Sequence, residues 1–251
     1  MSAKKRPQGG RRSPAGGRAD LLEPVLRVVR DEAAAQGEVT LVCLGDYVDR
    51  GPDSRRVVEA LLELRGQDGL QTHFLRGNHD QILLDFLADH TLGPYWLQLG
   101  GRETLFSYGV EPPATRKHMD PWRDCQAAFA EKLPEQHLDF FRSLALTFAW
   151  GDYFFVHAGV RPGVPLDQQA EQDLLWIRWP FLEHEGRFEK TVVHGHTPAL
   201  EVHADHRRLG LDTGAYVTGV LSACRIEGED RRVVQAVDTP GAAPELRWRS
   251  L

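Results

Sequence analysis

Cysteine is scarce in this chain: Cys43, Cys125 and Cys224 are odd in number and widely spaced among 251 residues. That excludes a disulfide framework and a cysteine-based zinc knuckle, and it predicts a reducing, cytoplasmic setting. Long apolar runs are also missing, and nothing approaches the roughly 20 residues needed to cross a bilayer, so no membrane partner is expected. No targeting segment is evident, since Arg11-Arg12 is not followed by an apolar stretch. Acidic residues are absent from Met1 to Arg18, which holds six Lys or Arg among Gly, Pro and Ser. This composition predicts a basic, disordered tail over residues 1–18 and one domain over 19–251. The net charge of −6 argues against a general nucleic-acid binder, leaving the tail as the only basic feature of that kind.

The patterning that is present alternates between two periods. Leu21, Leu22, Val25, Leu26, Val28 and Val29 fall on a helical stripe within residues 20–36, with Pro24 placed in the first turn and Gly37 as the stop. Strands are predicted at 39–44 and 70–75, with a helix at 54–65 between them and another opening at 81–89. Residues 91–121 read as an irregular cap with short helices, followed by helices at 124–133 and 135–144. The last third is strand-rich, with strands predicted at 147–150, 153–157, 190–194, 200–203, 217–226 and 231–237. Strand–helix alternation of this kind predicts an α/β fold.

Polar, glycine-containing turns follow several of the apolar runs: Gly45-Asp46-Tyr47-Val48-Asp49-Arg50-Gly51, Arg76-Gly77-Asn78-His79-Asp80 and His194-Gly195-His196-Thr197. The ends of strands are where an open α/β sheet places its ligand, and oxygen and imidazole donors at several such ends point to a shared metal centre. Together with Phe154-Phe155-Val156-His157-Ala158-Gly159, these segments resemble the metal-dependent phosphoprotein phosphatases among the calcineurin-like metallophosphoesterases. The bacterial and phage-type members, diadenosine tetraphosphatases included, are the most similar. The resemblance spans roughly residues 20–237 and implies a central β-sandwich flanked by helices.

It further implies two divalent ions, manganese or iron and zinc, about 4 Å apart, which activate a hydroxide and clamp the phosphoryl oxygens. Asp46 resembles the bridging ligand, and Asn78, His157 and His196 the other ligands of the second ion. His79 and Asp49 resemble the general-acid pair. Arg50, Arg178 and Asn78 resemble the substrate-binding groups, with Arg161 as a substitute for Arg178 in the same half. His194 reads as structural or as a support to the ligands. Asp212 reads either as a support or as an Asx-type turn. The implied reaction is attack of metal-bound hydroxide on a phosphoserine or phosphothreonine monoester of a protein. A dinucleoside tetraphosphate is the alternative substrate.

One motif is missing. The family opens with an apolar strand running into Gly-Asp-x-His-Gly, whose Asp and His hold the first ion. Without gaps, that motif falls on Ser13-Pro14-Ala15-Gly16-Gly17, and residues 6–12 hold no apolar side chain but proline. Neither Pro14 nor Gly16 can bind a cation, so the first-ion site is expected to be impaired. The chain is then either a non-catalytic phosphate-binding relative or carries a misassigned N-terminus. The intact state of the other motifs favours the latter.

Overall fold

Helical periodicity becomes a helix at α1 (Ala19–Gln36), closed by Gly37 in the left-handed conformation. The structure, a computed structural model, describes residues 17–114, 118–228 and 230–251. Most of the expected basic tail, with Pro14 and Gly16, therefore lies outside the described residues. Gly17 and Arg18, which that tail was expected to include, are instead fixed. Arg18 is buried and paired with Asp20 and Asp238 at 2.7 and 3.1 Å. Because α1 starts at Ala19, Pro24 lies inside the helix and not in its first turn. It forgoes a backbone hydrogen bond there.

Strand β1 (Val39–Cys43), helix α2 (Ser54–Leu62) and strand β2 (Leu70–Phe74) follow. Helix α3 (Asn78–Ala88) begins three residues earlier than the expected Gln81. The cause is Asp80, whose carboxylate accepts the Gly77 N–H at 2.8 Å and caps the helix from within. The cap region is more regular than the sequence suggests, containing α4 (Gly93–Leu99) and α5 (Gly101–Ser107). Helices α6 (Asp120–Lys132) and α7 (Glu135–Arg142) complete this side.

The second half supplies β3 (Thr147–Trp150), β4 (Tyr153–Val156), α8 (Glu171–Trp176), α9 (Trp179–Leu182), β5 (Thr191–His194), β6 (His203–Ala204) and β7 (Arg208–Gly210). The chain ends with α10 (Ala215–Thr218), β8 (Val220–Glu227), β9 (Asp230–Val237) and β10 (Glu245–Ser250). Two expectations are corrected here. The strand expected over 200–203 shrinks to the β6 pair, with Leu200 exposed, and the start of the one expected at 217 is the helical turn α10.

The strands form a parallel pair, β1–β2, a five-stranded sheet in the order β3-β4-β5-β7-β6, and an antiparallel sheet in the order β10-β9-β8. Val193 and Leu209 of the five-stranded sheet pack against Val233, Cys224, Ile226 and Leu44, which gives the two sheet layers a common apolar interior. Helices cover both outer faces: Leu174, Ile177 and Phe181 pack on Phe154, Val156 and Val192, while α1 to α7 cover the other side. The fold is thus α/β, as expected.

One feature of this layer bears on the site. Helix α1 packs Leu21 and Val25 on Leu221, Ala223 and Ala236, and Leu26 and Ala33 on the cluster that includes Val39, Leu41 and Cys43. The β1 pair and the β8 sheet thus lie side by side beneath one helix. Among the described residues β1 pairs only with β2, and β8 only with β9. Each therefore presents an edge with no strand partner among the described residues. Every β1 residue is only half-buried, Cys43 included.

Candidate active site

Among the described residues, four other than glycine have left-handed backbone angles, and all lie in the motifs: Asp46, Asp49, Arg50 and His196, with φ of 59°, 73°, 66° and 64°. Such strain persists where the surrounding structure over-determines it. Here two loops are pressed together. A Cβ on Gly45 would lie 2.4 Å from Gly77 N, and one on Gly77 would lie 2.1 Å from Asp46 Oδ1. Only glycine permits that approach. Asp80 locks it, because its carboxylate accepts the N–H groups of Asp46 at 2.8 Å, Tyr47 at 3.0 Å and Gly77 at 2.8 Å. Burial and the neighbouring Asp46 push Asp80 up to about 8, against three N–H donors that favour its charged form.

Asn78, His157, His196 and Asp46 converge as expected. His157 Nε2 lies 3.0 Å from Asn78 Oδ1, 3.2 Å from His196 Nδ1 and 3.4 Å from Asp46 Oδ2. His196 Nδ1 is 2.9 Å from Asn78 Oδ1. The Leu44 carbonyl accepts from His157 Nδ1 at 2.8 Å, so in the neutral ring Nε2 carries a bare lone pair aimed at the oxygens of Asn78 and Asp46. Metal-binding imidazoles are typically held in this way. Donors about 2.1 Å from a tetrahedral ion stand about 3.4 Å apart, close to the observed spacings. Burial, then His157, brings His196 down to about 3 and keeps it neutral. Burial would raise Asp46, but His157, His79 and His196 outweigh it and hold it low. The residues therefore fit one divalent ion.

Among the described residues, Asp46, His157 and His196 form the only group of at least three acidic, His or Cys side chains spaced to hold a metal. On its other side, Asp46 Oδ1 meets the His79 N–H at 3.2 Å.

His79 and Asp49 are also brought together. His79 Nδ1 stands 2.7 Å from Asp49 Oδ2. Burial alone would lower the imidazole, but Asp46 and Asp49 outweigh it and raise its affinity for a proton. Asp49 is wholly buried, and it accepts from Trp96 Nε1 at 3.0 Å and from Thr104 Oγ1 at 2.7 Å. Neither Trp96 nor Thr104 was identified from sequence. The only available signal was a tryptophan in a cap otherwise rich in prolines and glycines.

These groups open on a cavity of about 260 Å³ lined by Asp46, Arg50, Asn78, His79, Trp176, Arg178, His196, Asp212 and Tyr216. The Leu99 carbonyl accepts from Arg50 Nε at 2.8 Å, and the guanidinium lies 5.5 Å from the Tyr216 ring. Arg178 Nε lies 3.2 Å from His196 Nε2. Arg161 does not substitute for it, being exposed and paired with Asp173 at 2.5 Å. His194 is structural: buried on Phe181 and beside Arg208, it is brought down to about 3 by burial. Asp212 forms the Asx-type turn considered for it, accepting the Gly214 N–H at 2.9 Å, and also lines the cavity. Burial, then Asp46, raises its proton affinity. A second hollow of about 230 Å³, lined by Gln98, Arg102 and Glu103, shares Arg50 and Leu99 with the first.

The model of a family described as calcineurin-like phosphoesterase matches residues 15–223. The bis(5'-nucleosyl)-tetraphosphatase PrpE [asymmetrical] of Anoxybacillus flavithermus is 23% identical over 202 residues, 74% of each chain. A zinc-dependent endopolyphosphatase of Saccharomyces cerevisiae is 20% identical over 237 residues, 80% of this chain and 71% of the relative. A crystal structure of a metallophosphoesterase from Sphaerobacter thermophilus covers 90% of this chain and 83% of its own, with 16% identity and a TM-score of 0.37.

Proposed function

The chain belongs to the calcineurin-like phosphoesterase family, and on that premise we propose that it hydrolyses phosphomonoesters, with phosphoserine and phosphothreonine of proteins as the favoured substrates. One observation carries the reading: the buried His79–Asp49 pair reaches, through His79, the same cavity as the cation ligands Asp46, Asn78 and His196 and two guanidinium groups. A non-catalytic phosphate-binding protein has no use for such a pair.

The ion fitting Asp46, Asn78, His157 and His196, of manganese, iron or zinc type by its donors, supplies Lewis acidity toward the phosphoryl group. The chain's own residues do the rest. Arg50 and Arg178 fork onto phosphoryl oxygens and keep their charge. Asn78 turns Oδ1 to the other ligands and so has its Nδ2 donors for the phosphate. His79 spends Nδ1 on Asp49, which leaves Nε2 to protonate the leaving oxygen. Its raised proton affinity favours the acid form that this task needs. The three unpaired cysteines suit a cytoplasmic setting.

A dinucleoside tetraphosphate is the second reading, favoured by the hollow beyond Arg50, where Arg102 could meet a longer phosphate chain, and by the tetraphosphatase among the relatives. The test is kcat/KM on a phosphoserine peptide, p-nitrophenyl phosphate and diadenosine tetraphosphate. Preference for the peptide upholds the first reading, and preference for the tetraphosphate the second. Binding without turnover of all three refutes both.

A further inference from the structure

Resting on the reading of His79 as the proton donor, we propose that Trp96 and Thr104 are positioning residues. They fix the Asp49 carboxylate from the cap helices and, through it, the His79 ring. An ionised carboxylate offers about four lone-pair directions. At Asp49 these are met by His79 Nδ1 at 2.7 Å, by Trp96 Nε1 at 3.0 Å from both oxygens, and by Thr104 Oγ1 at 2.7 Å. The Thr104 hydroxyl also accepts the Asp49 N–H at 2.8 Å, so one side chain holds both the backbone and the carboxylate of a residue in a strained conformation. Ser54 Oγ backs that hydroxyl at 3.2 Å.

Both residues are wholly buried and neither lines the cavity, so each acts only through Asp49. The link is short. The turn joining α4 to α5 also reaches the phosphate-binding loop: its Gly100 carbonyl accepts the Arg50 N–H at 2.9 Å. A Cβ on Gly101 would lie 2.5 Å from the Trp96 ring, so the turn is shaped to admit the indole. The two cap helices thus hold the acid pair and the phosphate-binding arginine together.

The test uses Thr104→Val, Thr104→Ser and Trp96→Phe beside His79→Asn. Removing the outer hydrogen-bond partner of a functional group typically costs 10–100-fold. Thr104→Val and Trp96→Phe should therefore lower kcat by about that factor on a phosphoserine peptide. The loss should be smaller on p-nitrophenyl phosphate, whose leaving group scarcely needs a proton, with KM and ion affinity unchanged. Thr104→Ser should restore the wild-type pattern. A second readout needs no turnover: the downfield proton resonance of the His79–Asp49 hydrogen bond should be present in the wild type, absent in His79→Asn, and shifted or lost in Thr104→Val and Trp96→Phe. Equal losses on both substrates, or that resonance unchanged in both variants, overturn the proposal. If His79→Asn itself shows equal losses on the two substrates, the proton-donor reading fails first. If it shows the unequal pattern while Thr104→Val and Trp96→Phe match the wild type, only the positioning role fails.

Discussion

Replacing His157 with Ala removes the nitrogen whose lone pair the Leu44 carbonyl directs into the ligand cluster. An ion that binds only the folded state, present at about 100 times its Kd, stabilises it by ~2.7 kcal/mol. For a chain of this size each kcal/mol moves Tm by about 2–4 °C, so the wild-type protein should melt about 5–11 °C higher with saturating manganese or zinc than with chelator. In His157→Ala one of the converging donors is gone, and the shift should vanish at the same ion concentration. His203→Ala is the control, since His203 is half-exposed and pairs with Asp205 at 3.1 Å, away from the cluster. It should keep the full shift. The assay is thermal unfolding with and without ion, together with elemental analysis expected to give about one tightly held ion per chain. An undiminished shift in His157→Ala, or two tightly held ions in the wild type, would refute the ligand assignment.

Three further outcomes are expected. Arg178→Ala should raise KM for phosphopeptides, while Arg161→Ala, which loses only its Asp173 pair, should leave kcat and KM unchanged. In chelator, stability should fall as pH drops from about 6.5 toward 3. His194 titrates near 3 when folded, so across that window the unfolded chain binds more protons and stability rises with pH; an equilibrium-unfolding series in His194→Asn should show a shallower slope. Replacing residues 8–16 as a block with an apolar strand ending in Gly-Asp-x-His should give an open strand edge of β1 or β8 a partner, and two point substitutions at 14 and 16 should not. Burial of about four apolar side chains, at roughly 1.5–3 kcal/mol each before ordering costs, should raise Tm. Slower amide exchange in Val39–Cys43 and Val220–Glu227, with uptake of a second ion, is the accompanying readout; unchanged exchange there would contradict the open-edge geometry.

Most elements were legible because their periodicity is local. The stripe of α1, the apolar runs of β1 and β2 and the turns that follow them all appear near their expected bounds. The errors arose where a distant or flanking group decides the local structure. Helix α3 starts early because Asp80 caps it, and the expected strand at 200–203 shortens because its neighbour β7 is only three residues long. At the site, glycine-bounded Asp, Asn and His residues were visible as donors. Arg161 and Arg178 looked interchangeable until Asp173 was seen to hold one and the cavity the other.

From sequence alone, this protein's chemistry could be read as a set of residue types: a carboxylate, an amide, imidazoles and guanidinium groups, each placed at the end of an apolar run, with no such donors at positions 14 and 16. Which atoms meet was decided only by tertiary structure. Asn78 and His196 are 118 residues apart in the chain and 2.9 Å apart in space, and Asp49 meets Thr104 across 55 residues. Backbone preference acts over a few residues, so it can expose a donor at a strand end but cannot aim it. Aim comes from packing two sheets and a helical cap around one point. That packing directs His157 through the Leu44 carbonyl, seats Trp96 and Thr104 on Asp49, and brings Asp46 Oδ2 to 3.4 Å from His157 Nε2.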